Sequence, residues 1–181
     1  MATFKFEGGE KLKAHLKKLS KKVSKASVVE VGFFEGKNYS NGTSIPMVAA
    51  IQEFGAPAKG IPPRPFFRNM IKKEEGHWGG DVAALLQAHD YDAAKVLGFM
   101  GEEIEGELKQ SIVDLTEPEL SDVTLLLRER FGNNPQEITF ADVTQARGDI
   151  AAGVKPNVSG TQAKPLIWTG SLLNSTTYKV K

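Results

Sequence analysis

Three prolines in one short block, Pro62, Pro63 and Pro65, constrain this chain more than any other feature. A residue that precedes proline is pushed out of the helical region of backbone space. Ile61, Pro62 and Arg64 are therefore predicted to be extended, with Arg64 held between two rings. The block runs on as Phe66-Phe67-Arg68 and is predicted to turn back into a helix there. Before it lies a short apolar segment, Val48-Ala-Ala-Ile-Gln-Glu-Phe-Gly55. Ser44 suits an N-cap and Pro46 the first helical turn. Val48, Ile51 and Phe54 are expected to face one way, and Gly55 to supply the stop. A helix this short needs tertiary packing to exist. Ala56 to Gly60 reads as a mobile loop. A stiff Pro/Arg/aromatic element of this kind matches no catalytic motif and suits being gripped by another protein.

The flanking segments read more conventionally. Leu12, Leu16, Leu19 and Val23 share one face of a helix over Gly9 to Lys25, with lysines around the rest. Ser27 to Phe34 is β-branched and aromatic and reads as a strand. Phe66 to Lys73 is predicted helical, with a break at Glu74 to Gly80. Asp81 then caps a helix over Val82 to His89, and a longer one follows from about Asp92 to Val113. The stripe of that long helix is Leu97, Met100, Ile104, Leu108 and Ile112. Gly98, Gly101 and Gly106 weaken it, and tight approach of a neighbouring backbone would account for them. Val123 to Phe131 is apolar and basic, Asn133-Asn-Pro is a turn, and Thr139 caps a helix from Phe140 to Ala152. Gly153 to Lys164 reads as a polar, mobile linker. Thr169 or Ser171 starts a helical turn with Leu172 and Leu173, and Ser175 to Val180 alternates as a closing strand.

At 181 residues, 40% hydrophobic and 25% charged, the chain suits one globular domain with a real core. A net charge of +1 gives no global case for nucleic acid or membrane. The absence of cysteine removes disulfides, thiolate metal sites and cysteine nucleophiles. No apolar run is long enough to span a membrane, and the opening Met-Ala-Thr-Phe-Lys-Phe lacks the core of a signal peptide. The charge is unevenly placed. Lys5, Lys11, Lys13, Lys17, Lys18, Lys21, Lys22 and Lys25 crowd the start, while Glu102, Glu103, Glu105, Glu107, Asp114, Glu117 and Glu119 crowd residues 101–120. Such a molecule can stack head-to-tail or pair around a ring, although two solvated helix faces give the same pattern.

Catalysis finds little support. His15, His77 and His89 lack metal-ligand spacing, and no cofactor or metal is expected. His77-Trp78-Gly-Gly-Asp81 lies in a glycine-rich turn by this reading, with no nucleophile elbow nearby. The carboxylates of Gly101 to Gly106 mostly face water on a helix.

The order of the pieces carries more than any one of them. An N-terminal helix precedes a strand ending Gly32-Phe33-Phe34. Next come Ala49-x-x-x-Glu53-Phe54-Gly55 and Ile61-Pro-x-Arg64-Pro65-Phe66-x-Arg68. A long helix and Leu120-Ser-x-x-Thr124 follow, and then Pro165-Leu-Ile-x-Thr-Gly-x-Leu172. This series resembles the tail-completion and neck proteins of tailed bacteriophages, the broad group that includes lambda-type minor tail protein Z. The resemblance implies an α+β fold of the tail-terminator kind, a small mostly antiparallel sheet with helices packed on one face. It implies a single neck domain over 1–181; residues 114–164 read as a helical insertion within it, and the segment from about Asp122 to Lys164 is longer than the family pattern. It implies a virion structural protein, found in the host cytoplasm during assembly, that forms a sixfold or twelvefold ring at the head–tail junction. Its partners would be copies of itself and other neck, connector and tail proteins. No membrane partner and no chemistry are implied. Two roles remain open, completion or bridging of the tail and a terminator that caps the tail tube. Trp168 stands where the family often has an aspartate.

On this reading Glu53, Arg64, Pro65, Phe66, Phe67 and Arg68 form the subunit or partner interface. The arginines would grip carboxylates or carbonyls of a neighbour, with Glu53 as a candidate acceptor. Phe66 and Phe67 would anchor it, unless they fill the subunit's own core. A second reading, from another class, is a channel protein that contacts the genomic DNA passing through the lumen. Lys17, Lys18, Lys21 and Lys22 are the candidates for non-specific phosphate contact.

Overall fold

Two short strands far apart in the sequence pair with one another and form the one sheet found among the described residues. In the computed structural model, which describes residues 9–24, 26–132 and 134–181, β1 (Val29–Gly32) runs antiparallel to β2 (Thr177–Val180). Val29 lies opposite Val180 and Gly32 opposite Thr177. The ladder extends one step further, with the Ser27 N–H donating to the Lys181 carbonyl. The fold is α+β, a two-stranded antiparallel sheet among helices. Lys5, Lys25 and Asn133, named above for charge or turn, lie outside the described residues.

Seven helices accompany the sheet in the described residues: α1 (Gly9–Val23), α2 (Ile45–Phe54), α3 (Phe66–Ala88), α4 (Ala93–Asp114), α5 (Asp122–Phe131), α6 (Phe140–Ala151) and α7 (Ser171–Asn174). Helix α4 packs on the sheet and on α3. Gly101 permits the first contact. A Cβ there would meet the Tyr178 ring at 2.2 Å, so β2 can approach α4 only over a residue with no side chain. The close neighbour is thus an aromatic side chain rather than a backbone, and Gly98 and Gly106 face open space.

Helices α3 and α4 form one long antiparallel hairpin, joined by a turn in which Asp90 and Tyr91 adopt φ of +53° and +59°. The break expected at Glu74 to Gly80 is absent, and α3 runs straight through Gly76, Gly79 and Gly80. Tertiary packing overrides the roughly 1 kcal/mol that each glycine costs a helix interior, because Met70, Ile71 and Trp78 lean on the core shared with α4.

That core gathers Ile45 and Ala49 of α2, Phe66 and Met70 of α3, Leu108 and Ile112 of α4, and Leu166 and Leu172 from the tail. Two details of α2 differ from expectation. Its buried face is Ile45, Ala49 and Glu53, and Phe54 is 67% exposed. The segment after Gly55 is closed into a short turn, with Ala56 and Ile61 exchanging both backbone hydrogen bonds. Gly55, at φ +77°, is required there because a Cβ would lie 2.8 Å from the Pro63 nitrogen.

A second, smaller cluster lies in the 114–164 region. Leu126 and Leu127 of α5 meet Ala146 of α6, flanked by Val123, Phe131, Ile138, Val143 and Ile150. Ser121 caps α5 and Thr139 caps α6 in a reciprocal box with Asp142. No helix among the described residues is long and apolar enough to cross a membrane.

The contact at Gly101 generates a paired expectation. Gly101→Ala should destabilise by about 1–3 kcal/mol through overpacking. Gly79→Ala, in open space on α3, should stabilise by up to about 1 kcal/mol. Urea unfolding of both variants checks this, and equal effects would contradict the packing at Tyr178.

Candidate functional site

Helix α3 begins at Phe66 directly after a proline that caps nothing. Pro65 makes no side-chain hydrogen bond to the helix, and the first amides of any helix lack intrahelical acceptors. A carboxylate from another helix meets them. Glu53, at the end of α2, accepts from the Phe67 N–H at 2.9 Å and the Arg68 N–H at 3.3 Å. The Arg68 Nε–H donates to the same carboxylate at 2.7 Å, and its Nη2 donates to the Glu53 carbonyl at 3.0 Å. An anion at a helix N-terminus is favoured by the exposed N–H groups and the helix dipole together. Glu53 is 5% exposed, so this is a buried anion fully engaged by its own chain.

Arg64 is held as firmly. Its N–H donates to the Gln52 carbonyl at 2.7 Å. Its guanidinium donates to the Pro118 and Glu119 carbonyls and to Gln52 Oε1, each at 3.2 Å. Burial pushes its pKa below the ordinary arginine value. Arg64 is therefore interior and turned to its own chain, where the sequence placed it at a subunit interface. Phe66 is likewise 1% exposed and meets the Phe33 ring edge-on at 6.0 Å. Phe67 is half-buried against Gly32, and Pro65 is also half-buried. Of the expected interface set, Arg68 reaches the surface most, its guanidinium stacked 5.3 Å from the exposed Phe54 ring.

A second node went unnoticed in the sequence. Arg128, on α5 and 5% exposed, donates from Nη1 to the carbonyls of Gln162, Lys164 and Ile167, each at 2.8 Å. Its Nη2 donates to the Pro165 carbonyl at 3.1 Å, and Trp168 stacks 5.0 Å from the guanidinium. The Trp168 indole N–H donates to the Gly132 carbonyl. Burial, and then the nearby Arg64 charge, lower the Arg128 pKa to about 10, so it stays cationic at neutral pH. The signal that could have found it is an arginine inside an apolar helical run, Leu125-Leu-Leu-Arg128. Arg128 and Trp168 line a cleft of about 560 Å³ with Tyr39, Gln52, Thr169 and Ser171.

The lysine face stands apart from both nodes. Lys17, Lys18 and Lys21 are exposed on α1, while Lys22 is half-buried and paired with Asp90. No residue of α1 is buried, and its apolar stripe lies open, with Leu12 60% and Leu16 55% exposed. No protein-family model, curated protein or solved structure matches the chain.

The Arg128 node should not tolerate a change of cation. Arg128→Lys keeps the charge but cannot span the carbonyls and the ring together. A loss of about 2–3 kcal/mol is expected in urea unfolding, and a loss below about 0.5 kcal/mol, the size of an ordinary surface change, would remove the node from the account.

Proposed function

We propose that this chain is a structural protein of a tailed-phage virion. It assembles as a ring at the head–tail junction and completes the tail or bridges connector and tail. The ordered landmarks of the sequence supply the setting. The observation that carries assembly is α1, an amphipathic helix whose Leu12 and Leu16 lie open among the described residues. Covering the exposed part of each leucine is worth roughly 1–2 kcal/mol, and copies of the chain arranged around a ring offer that cover. The basic α1 and the exposed Glu102 and Glu103 of α4 provide opposite charge for such pairing. No catalytic step is required. The Pro-Arg block serves this function indirectly, as the internal clamp that fixes α2 against α3, and the outward contacts fall to α1, Phe54 and Arg68.

Gold-labelled antibody applied to separately purified heads and tails tests the setting. Label at the neck end of either supports the proposal, and label on neither overturns it. Label on tailless heads assigns a head-side connector, whereas label on headless tails assigns a completion or terminator protein. The assembly role has its own test. Leu12→Ser with Leu16→Ser should leave unfolding within about 0.5 kcal/mol of the parent, as exposed substitutions do. Sedimentation velocity should show the variant falling to smaller species, and unchanged assembly would exclude α1 from the contact. Lysine contact with passing DNA is a separate reading. It requires salt-dependent DNA binding that Lys17→Gln with Lys18→Gln weakens.

A further inference from the structure

Because α3 does not break, His77 and Glu74 stand one turn apart on one helix face, opposite Glu107 of α4. His77 Nε2 lies 3.2 Å from Glu74 Oε2 and 3.2 Å from Glu107 Oε1. The three ligand atoms all fall within 4.8 Å of one another. A cation about 2.0–2.2 Å from each donor gives donor–donor edges of about 2.9 Å when octahedral and about 3.3 Å when tetrahedral. Both edges, at 3.2 Å, lie between these values.

Each donor is also aimed by a partner outside the triad. His77 Nδ1 is 2.6 Å from Asp81 Oδ2, which fixes the ring and leaves Nε2 facing the two glutamates. Lys73 Nζ holds the other oxygen of Glu74 at 2.6 Å. The Trp78 indole N–H holds the other oxygen of Glu107 at 3.0 Å. Outer partners of this type, a carboxylate behind a histidine and donors behind carboxylates, orient metal ligands and raise affinity. Glu74 and Glu107 are mostly buried, with side-chain exposures of 20% and 15%, while His77 is 41% exposed, which leaves room for water ligands. Glu103 adds a further carboxylate at the rim beside Asp81.

We propose that Glu74, His77 and Glu107 bind a divalent first-row transition cation, joining α3 to α4. One imidazole with two carboxylates suits zinc, manganese, iron or nickel. Magnesium and calcium prefer an all-oxygen shell. The Asp81 hydrogen bond, and after it Glu74 and the Glu107 charge, raise the His77 pKa, so a proton competes for Nε2. Sequence spacing concealed the site. The three histidines lack metal-ligand spacing among themselves, whereas here the third ligand is a glutamate 30 residues further on, across a hairpin turn.

The test uses the full-length, untagged, chelator-stripped protein with Co²⁺ read by visible absorption and Zn²⁺ by calorimetry. One ion per chain at micromolar affinity is expected. His77→Ala and Glu107→Gln should each weaken binding by about tenfold or more, and Trp78→Phe by less. His15→Ala and His89→Ala should leave it unchanged. The two ligand variants alter different helices, and circular dichroism confirms that each is folded. Absence of binding at millimolar Zn²⁺, or undiminished binding in a folded ligand variant, overturns the site. The result is independent of the virion reading, since neither the labelling nor the assembly experiment uses metal.

Discussion

A buried carboxylate that starts a helix it does not belong to holds the centre of this molecule together. Helix α3 opens behind a proline, so its first amides have no local acceptor. Glu53 reaches over from α2 and supplies one. That single group meets the first amides of α3 and sets which way Arg68 points. It also explains why a glutamate occupies the inward face of an otherwise apolar helix. Burying an anion is costly unless its lone pairs are met. Here two backbone N–H groups and one guanidinium meet them.

The same chemistry recurs with opposite sign. Arg64 and Arg128 are buried cations answered mainly by backbone carbonyls, and neither has a carboxylate within ion-pair distance among the described residues. Arg64 ties the Pro-Arg block to Pro118 and Glu119, at the entrance to the α5–α6 region. Arg128 ties α5 back to the tail at residues 162–167. The helical arm is thereby tethered at both ends to the main core, although its own apolar cluster is small. Each arginine fixes backbone that belongs to no strand ladder and no α-helix, which is why lysine is a poor substitute.

Much of the fold was legible in the sequence because it rests on local rules. The caps at Ser44 and Thr139, the stop at Gly55 and the two strands near either end of the sequence all follow from residue type and period, whereas the pairing of those strands comes from the fold. What was not legible depends on contacts across the chain. Three glycines read as a break in α3, yet packing on α4 carries the helix through. Glycines in α4 read as sites of close approach, yet only Gly101 meets a neighbour. The Pro-Arg-Pro-Phe-Phe-Arg block read as an outward grip because arginine and phenylalanine favour interfaces. Buried partners on the same chain draw Arg64 and Phe66 inward instead, and this could not be seen without knowing that Glu53, Pro118 and Phe33 converge there. The apolar face of α1 was legible as a stripe, yet among the described residues Leu12 and Leu16 stay open and only Leu19 is half-buried.

The division of labour follows: the block stabilises the subunit, and α1 faces outward. Amide hydrogen exchange reads the Glu53 cap on α3 one residue at a time. The amides of Phe67 and Arg68 should be protected in the parent protein despite lying in the first helical turn. In Glu53→Ala they should exchange at least about tenfold faster, a loss of roughly 1.4 kcal/mol of local protection, with the amides around Trp78 far less affected. Unprotected first-turn amides in the parent, or equal protection in the variant, would contradict the account.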